Sequence, residues 1–297
     1  MKSSMRKPGF DLVFDIVVVF LLVVILLIVA YPLYFILIAS VSSPDYVNTG
    51  RVMFYPKGIG FEGYERIMRT SRIWIGYRNT ILYTVFGTAL SVMITLMAAY
   101  AFSRKDLIGR KPLMLLYIFT MYFGGGLIPT YLVVRNLGLT NSPMVMIILG
   151  MLSVYNMIIA RSFFESSIPK ELLEAAFMDG CSNQRFFLQI VLPLSQAITA
   201  VIALYYAVGQ WNGFFNALIY LSDQKYFPLQ LILRDILIGS QSLQSDFADI
   251  ETIAIQRRIA ETVKYGVIVV ASIPVLLAYP FLQRYFIKGV MIGSIKG

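Results

Sequence analysis

The sequence predicts an all-α polytopic membrane protein with six transmembrane helices. Composition is the first reason: 58% of the 297 residues are hydrophobic and only 14% are charged, far from soluble averages. Length is the second, because several apolar runs reach the roughly 20 residues that a helix needs to cross the hydrocarbon. Pattern is the third. The runs are continuous instead of short and alternating, which excludes a transmembrane β-barrel. They are rich in β-branched and aromatic residues, so periodicity does not separate them from a buried core, and length decides.

The first span reads from about Leu12 to Ala39, with Asp15 near its inner edge and Pro32 as a kink. Lys2, Arg6 and Lys7 precede it. The run is too long for a signal peptide and shows no small-residue cleavage site, so a retained helix is expected. A turn-rich stretch, Ser40 to Gly76, follows, with an amphipathic piece from Glu62 to Arg72. The second span is about Tyr77 to Phe102, closed by Ser103-Arg104-Lys105-Asp106 and Arg110-Lys111. The third starts near Pro112 and is interrupted by Gly124-Gly125-Gly126 and Pro129. That is a helix breaker at membrane depth, either a packing kink or backbone lining a pathway. The fourth runs about Pro143 to Phe164, the fifth about Leu194 to Leu221, and the sixth about Thr262 to Phe286. A long polar loop, Ser222 to Glu261, separates the last two, and a tail follows from Ile287. The chain reads as one membrane domain, 1–297, with a core of about 77–286.

The net charge of +9 fits basic residues at membrane edges and gives no reason to invoke nucleic acid. An even number of spans puts both termini on one side. Lys and Arg divide almost evenly between the two sides, but long loops are weak orientation signals. The short segments Lys2–Lys7 and Arg104–Lys111 decide for cytoplasmic termini. The absence of histidine removes the commonest proton shuttle, metal ligand and general base. The single cysteine, Cys181, leaves no intrachain disulfide and reads as a small filler residue.

The distinctive polar stretch lies between the fourth and fifth spans, within 166–193. Pro169 suits a first helical turn, with Ser166 or Ser167 as its cap. Leu172, Leu173, Ala176 and Phe177 fall at helical spacing. Gly180 stands where this helix must stop, since glycine tolerates the left-handed turn that ends helices. Ser182 or Asn183 can cap a second helix that shows Phe186, Phe187, Ile190 and Val191 before Pro193. A hairpin this short cannot bury its own apolar stripe and must dock onto something.

Glu174-Ala175-Ala176, then Asp179-Gly180, then Ile190-Val191-Leu192-Pro193 resembles the EAA loop of binding-protein-dependent ABC importer permeases. Gly209-Gln210-Trp211-Asn212 with Phe214 and Phe215 resembles a segment common in sugar-importer permeases, and the tail from Gln283 through Gly297 is similar to the end of maltose-type permeases. The stretch Tyr122 to Thr130 looks like the subgroup named for LplC and YtcP, linked to complex oligosaccharides. One departure is Ser195-Gln196-Ala197-Ile198, where many relatives carry a proline shortly after Leu-Pro. The resemblance implies a type I importer permease that passes a sugar or oligosaccharide. It implies a second permease subunit, two ATPase subunits and an extracytoplasmic solute-binding protein as partners, in a bacterial cell membrane. It also implies no cofactor of the chain's own, with ATP and Mg bound by the ATPase. Glu171, Glu174, Ala175, Ala176, Asp179, Gly180, Ile190, Leu192 and Pro193 would couple to the ATPase. Gly293, Ser294, Ile295, Lys296 and Gly297 would reach the interface between the ATPase subunits.

Sugars are bound by aromatic faces and by side chains with donors and acceptors. Polar candidates at membrane depth are Tyr122, Asn156, Gln210, Trp211, Asn212 and Asn216, joined by Tyr205. Trp211 and Asn212 serve equally well as helix packing. Tyr31, Tyr34 and Tyr279 read as interface-belt residues. The carboxylates Glu171, Glu174 and Asp179 either pair with a partner's basic groups or form a solvated face. The outer-loop cations Arg51, Lys57, Arg66, Arg69, Arg72 and Arg78 fit an acidic binding-protein surface, an acidic glycan, or plain solvation. The chain holds no Gly-x-x-x-x-Gly-Lys-Ser/Thr, so it does not hydrolyse ATP alone. An ion-coupled transporter would need ionisable groups at mid-membrane, and an intramembrane enzyme would need a catalytic pair; neither is evident. Glycerol phosphate is the alternative solute.

Overall fold

The computed structural model describes residues 9–242, 263–277 and 280. Among them every regular element is helical. The order is α1 (Gly9–Ser40), α2 (Pro44–Asn48), α3 (Glu62–Arg69), α4 (Ser71–Ser103), α5 (Arg110–Tyr122), α6 (Leu127–Asn136), α7 (Pro143–Ile148), α8 (Val154–Ser167) and α9 (Lys170–Met178). Then come α10 (Asn183–Leu194), α11 (Gln196–Trp211), α12 (Phe215–Tyr220), α13 (Leu229–Ser242) and α14 (Val263–Leu277).

Two described helices are long and apolar enough to cross a membrane alone, Leu12–Ser40 within α1 and all of α4. Counting the bent pairs α5–α6 and α10–α11 as one span each gives four. The α5–α6 pair bends by 111° at the Gly124–Gly126 break expected from the sequence. The expected fourth span is instead two helices, α7 and α8. Gly150, at φ +81°, ends the first, and the Ser153 hydroxyl caps the second by accepting from the Asn156 N–H at 3.3 Å. The expected fifth span is likewise interrupted, at Asn212 to Phe214. Charged residues at 246–258, Tyr279 and the tail 293–297 lie outside the described residues.

The chain forms two compact units. Among the described residues, the first comprises 9–69 with 236–242 and 263–271. Here α1 presents an almost wholly exposed apolar surface, and Pro32 sits inside a continuous helix. Tyr34 Oη donates to the Phe54 carbonyl at 2.5 Å and Tyr64 Oη to Ser40 Oγ at 2.7 Å, so backbone and hydroxyl partners fix the turn-rich stretch after α1.

The second unit comprises, among the described residues, 70–235 with 272–277 and 280, and is built on α4, 33 residues and so about 50 Å long. Helices α8 and α11 pack along it. Toward the Ser103 end, Leu96, Ala99, Phe102, Met157, Phe164, Phe186 and Ile202 form one buried cluster; toward the other, Tyr83, Val145, Ala217, Tyr220 and Leu231 form a second. Gly87 lets Gln210 approach, since a Cβ there would lie 2.7 Å from the Gln210 amide nitrogen.

Candidate coupling hairpin and membrane pathway

The hairpin is local sequence chemistry carried out in order. Pro169 serves as the N-cap residue of α9, one position before the first turn. The expected caps Ser166 and Ser167 belong to α8, and Ser166 Oγ donates back to the Phe163 carbonyl at 3.2 Å. Helix α9 ends in a Schellman turn. Gly180 adopts φ +73°, its N–H donates to the Phe177 carbonyl at 3.0 Å, and the Cys181 N–H donates to the Ala176 carbonyl at 2.9 Å. Ser182 Oγ then caps α10 by accepting from the Arg185 N–H at 3.3 Å. A π-turn over Phe187–Val191 precedes Pro193, and the Leu192 N–H reaches back to the Phe187 carbonyl. The wider turn leads into a proline that has no N–H to give. Beyond it the chain bends by 84° into α11.

The two faces of the hairpin differ. Phe186, Val191 and Ala176 are buried, Leu173 packs beside them, and Tyr100 of α4 lies over Phe187 with ring centroids 5.0 Å apart. Burying Phe186 contributes about 1.5–3 kcal/mol. Arg104, at the end of α4, covers the Phe177 ring at 5.2 Å and grips Asp106 through two hydrogen bonds of 2.7 and 2.8 Å. Those bonds hold the Asp106 carboxyl below its ordinary range. The other face is open. Glu171, Glu174, Ala175, Asp179 and Gly180 are exposed, Leu172 and Phe177 partly so, and Met178 is 88% exposed at the tip. Ile190 and Leu192 pack against the core, while Pro193 is exposed. A cavity of about 730 Å³ opens beside α9, between Lys170, Leu173 and Glu174 on one wall and Tyr100, Arg104 and Phe186 on the other.

The sugar-pathway candidates do not gather in one place. Trp211 is buried, edge-on to Tyr77 at 6.4 Å, and Gln210 fills the space over Gly87. Asn212 donates its side-chain amide to the Val208 carbonyl at 3.0 Å, at the end of its own helix. Asn156 is buried in the first turn of α8, Asn216 is half-buried in α12, and Tyr122 is 73% exposed at the end of α5. Tyr205 is exposed.

Sequence reasoning missed two features. Tyr206, the neighbour of Tyr205, accepts from the Ser153 N–H at 2.9 Å and lies 2.7 Å from Thr95 Oγ1, tying α4, α8 and α11 at one buried point. Thr84, Thr88, Ser91 and Thr95 also repeat along one face of α4. The hydroxyls of the first three, with those of Ser195 and Thr199, are buried without a partner among the described residues. The spacing i, i+4, i+7, i+11 was the available signal. A groove of about 700 Å³ runs past Thr84, Thr88 and Thr199.

No family model matches the chain. Individual proteins do. The permease protein YtcP of a polygalacturonan/rhamnogalacturonan transport system from Bacillus subtilis (strain 168) is 40% identical over 96% of this chain and 98% of its own. Protein LplC of the same organism is 38% identical over 99% and 98%. This chain belongs to the carbohydrate ABC transporter permeases. A solved bacterial ABC transporter involved in import of the acidic polysaccharide alginate matches the permease with a TM-score of 0.85 at 33% identity, over 95% of this chain and all of that one. The permease is therefore a helical, membrane-embedded transport component and not an enzyme, as the EAA pattern and composition implied.

Proposed function

We propose that this permease is one transmembrane subunit of an ATP-driven importer for an acidic oligosaccharide. It crosses the membrane six times, with both termini in the cytoplasm. It pairs with a second permease and receives solute from an extracytoplasmic binding protein. Two ATPase subunits bind ATP and Mg, and the chain needs no cofactor of its own. The tail 293–297 reaches toward their interface. ATP closes the ATPase pair, the hairpins move with it, and the pathway shifts to the outward-open state.

The observation that carries this reading is the two-faced hairpin. One face is seated on α4 by Tyr100, Phe186 and Phe187, so a push on the hairpin is a push on a membrane helix. The other exposes Glu171, Glu174, Asp179 and the Phe177–Met178 tip to a partner. Acidic solute is favoured because YtcP's name refers to galacturonans and the alginate system handles an acidic polysaccharide. Tyr122, Asn156, Gln210, Trp211, Asn212 and Asn216 remain the pathway residues proposed.

Gly180→Asp in the reconstituted complex tests the coupling role. Nothing lies within 4 Å of the position, and aspartate tolerates a left-handed backbone better than most residues, so the permease should insert and fold. ATP hydrolysis should continue while uptake falls at least tenfold. Uptake in proportion to hydrolysis would refute the role. Uptake of uronate oligosaccharides in preference to neutral malto-oligosaccharides checks the solute class, and the reverse preference refutes it.

A further inference from the structure

We infer that the connector between α4 and α5 forms a binding site for one anionic phospholipid, with the phosphodiester headgroup held by Lys105, Arg110, Lys111 and Arg161 and the acyl chains lying on the exposed face of α5. The inference rests on the chain being a membrane permease. It does not depend on the coupling role of the hairpin or on the solute.

A cavity of about 850 Å³ lies at this connector. Lys105, Arg110, Lys111 and Arg161 line it, and its remaining wall is apolar, including Leu107, Met114 and Leu115. The charges are under-compensated. Glu165 is the only carboxylate ion-paired to these four among the described residues, and it serves both Arg110 and Arg161, the latter at 3.0 Å. Asp106 is committed to Arg104. Neither Lys105 nor Lys111 has an ion pair with a carboxylate among the described residues. Lys105 and Lys170 both line the neighbouring cavity beside α9, and Lys170 holds the Lys105 ammonium below its ordinary range. Helix α5 begins here with no acidic residue in its first turn, so its dipole adds to the positive potential.

The surroundings select a lipid over a soluble anion. The site lies where α4, a candidate span, ends and α5, half of a second candidate span, begins. From the cavity wall, Leu115 continues along α5 to Phe119 four residues on, and both are exposed, at 67% and 55%. Leu116 beside them is exposed as well. Ile108, in the connector, is 94% exposed, a position that suits insertion among headgroups. Basic pockets at the ends of membrane helices bind anionic headgroups for these reasons of charge and geometry.

The test is native mass spectrometry of the assembled transporter released from nanodiscs containing phosphatidylglycerol and phosphatidylcholine. The wild type should retain phosphatidylglycerol selectively. K105Q/K111Q changes two exposed side chains and should weaken that retention about 30-fold, roughly fivefold per lysine. Leu115→Asn should also weaken it without any change of charge. Arg185→Gln, a basic residue on the hairpin outside the cavity, should not. Equal retention by K105Q/K111Q, an equal loss in the Arg185 variant, or no preference over phosphatidylcholine overturns the proposal. Displacement of the lipid by millimolar inorganic phosphate also overturns it, in favour of a free-phosphate site.

Discussion

At the Ser71 end of α4, side chains hold backbone. Asn79 donates its amide to the carbonyls of Lys225 and Phe227 at 2.8 and 3.0 Å, Tyr83 Oη donates to the Tyr226 carbonyl at 2.9 Å, and Thr80 Oγ1 accepts from the Leu229 N–H at 2.8 Å. Asn141 does the same for the start of that loop, accepting from the N–H groups of Ser222 and Asp223. At the Ser103 end, rings hold rings: Tyr100 rests on Phe186 and Phe187, and Arg104 caps Phe177. Directional bonds to fixed carbonyls permit one register. Aromatic packing tolerates small tilts, because its energy follows buried area more than angle. The same helix thus carries a latch at one end and a seat at the other, and of the two only the seat suits the motion proposed for the hairpin.

The latch is tightest at Gly76. A Cβ there would lie 2.7 Å from Ile232 Cδ1 and 3.0 Å from Leu229 Cα, so a larger side chain separates α4 from the start of α13. Gly76→Val should cost about 3 kcal/mol through overpacking, read as a lower melting temperature of the purified complex. An unchanged melting temperature would mean the latch is not tight. Asn79→Ala comes next. It removes two part-buried hydrogen bonds to backbone carbonyls and should cost about 2 kcal/mol, with uptake and hydrolysis reduced together. A loss of coupling without a loss of stability would place the moving part at the wrong end.

Much of the seat was legible in sequence, because it is local chemistry. Gly180 and Ser182 are punctuation, and each does at its own position what its residue type does anywhere. The latch was not legible, because Asn79 meets its partners some 146 residues on. The α7–α8 break hid inside an apolar run, where hydropathy reports the surroundings and not the direction of the backbone. Gly150 and Ser153, a helix stop and a helix start three residues apart, were the signals to weigh. The π-turn at Phe187–Val191 has only Pro193 to announce it, and the Tyr206 hydroxyl is marked by nothing but its burial in three dimensions.

On the seat side, Ser182→Ala removes the hydroxyl that caps α10. Losing an N-cap costs about 1 kcal/mol, and here the loss falls on the first turn of α10 alone. Hydrogen exchange of the amides at 184–186 should quicken roughly fivefold while global melting stays within error and uptake per ATP declines. Slow exchange in that turn would show that packing of Phe186 and Phe187 holds it without the cap.

The smallest effect belongs to Asp106. Its carboxyl is held below the ordinary value of 3.8 chiefly by hydrogen bonds from Arg104, so the pair adds stability that is complete above that value and fades as pH falls through the lowered folded-state pKa. The side chain is 65% exposed, so solvent screening keeps the contribution to about 0.5 kcal/mol or less. Asp106→Asn should remove this acid-side dependence and leave melting at neutral pH almost unchanged, since Arg104 keeps its place over Phe177. A loss of 2 kcal/mol or more in Asp106→Asn would mean that the seat, like the latch, is fixed by directional polar bonds. The hairpin would then be too rigidly clamped for the rocking on α4 proposed above, and the proposed motion would have to be assigned instead to the 84° bend between α10 and α11.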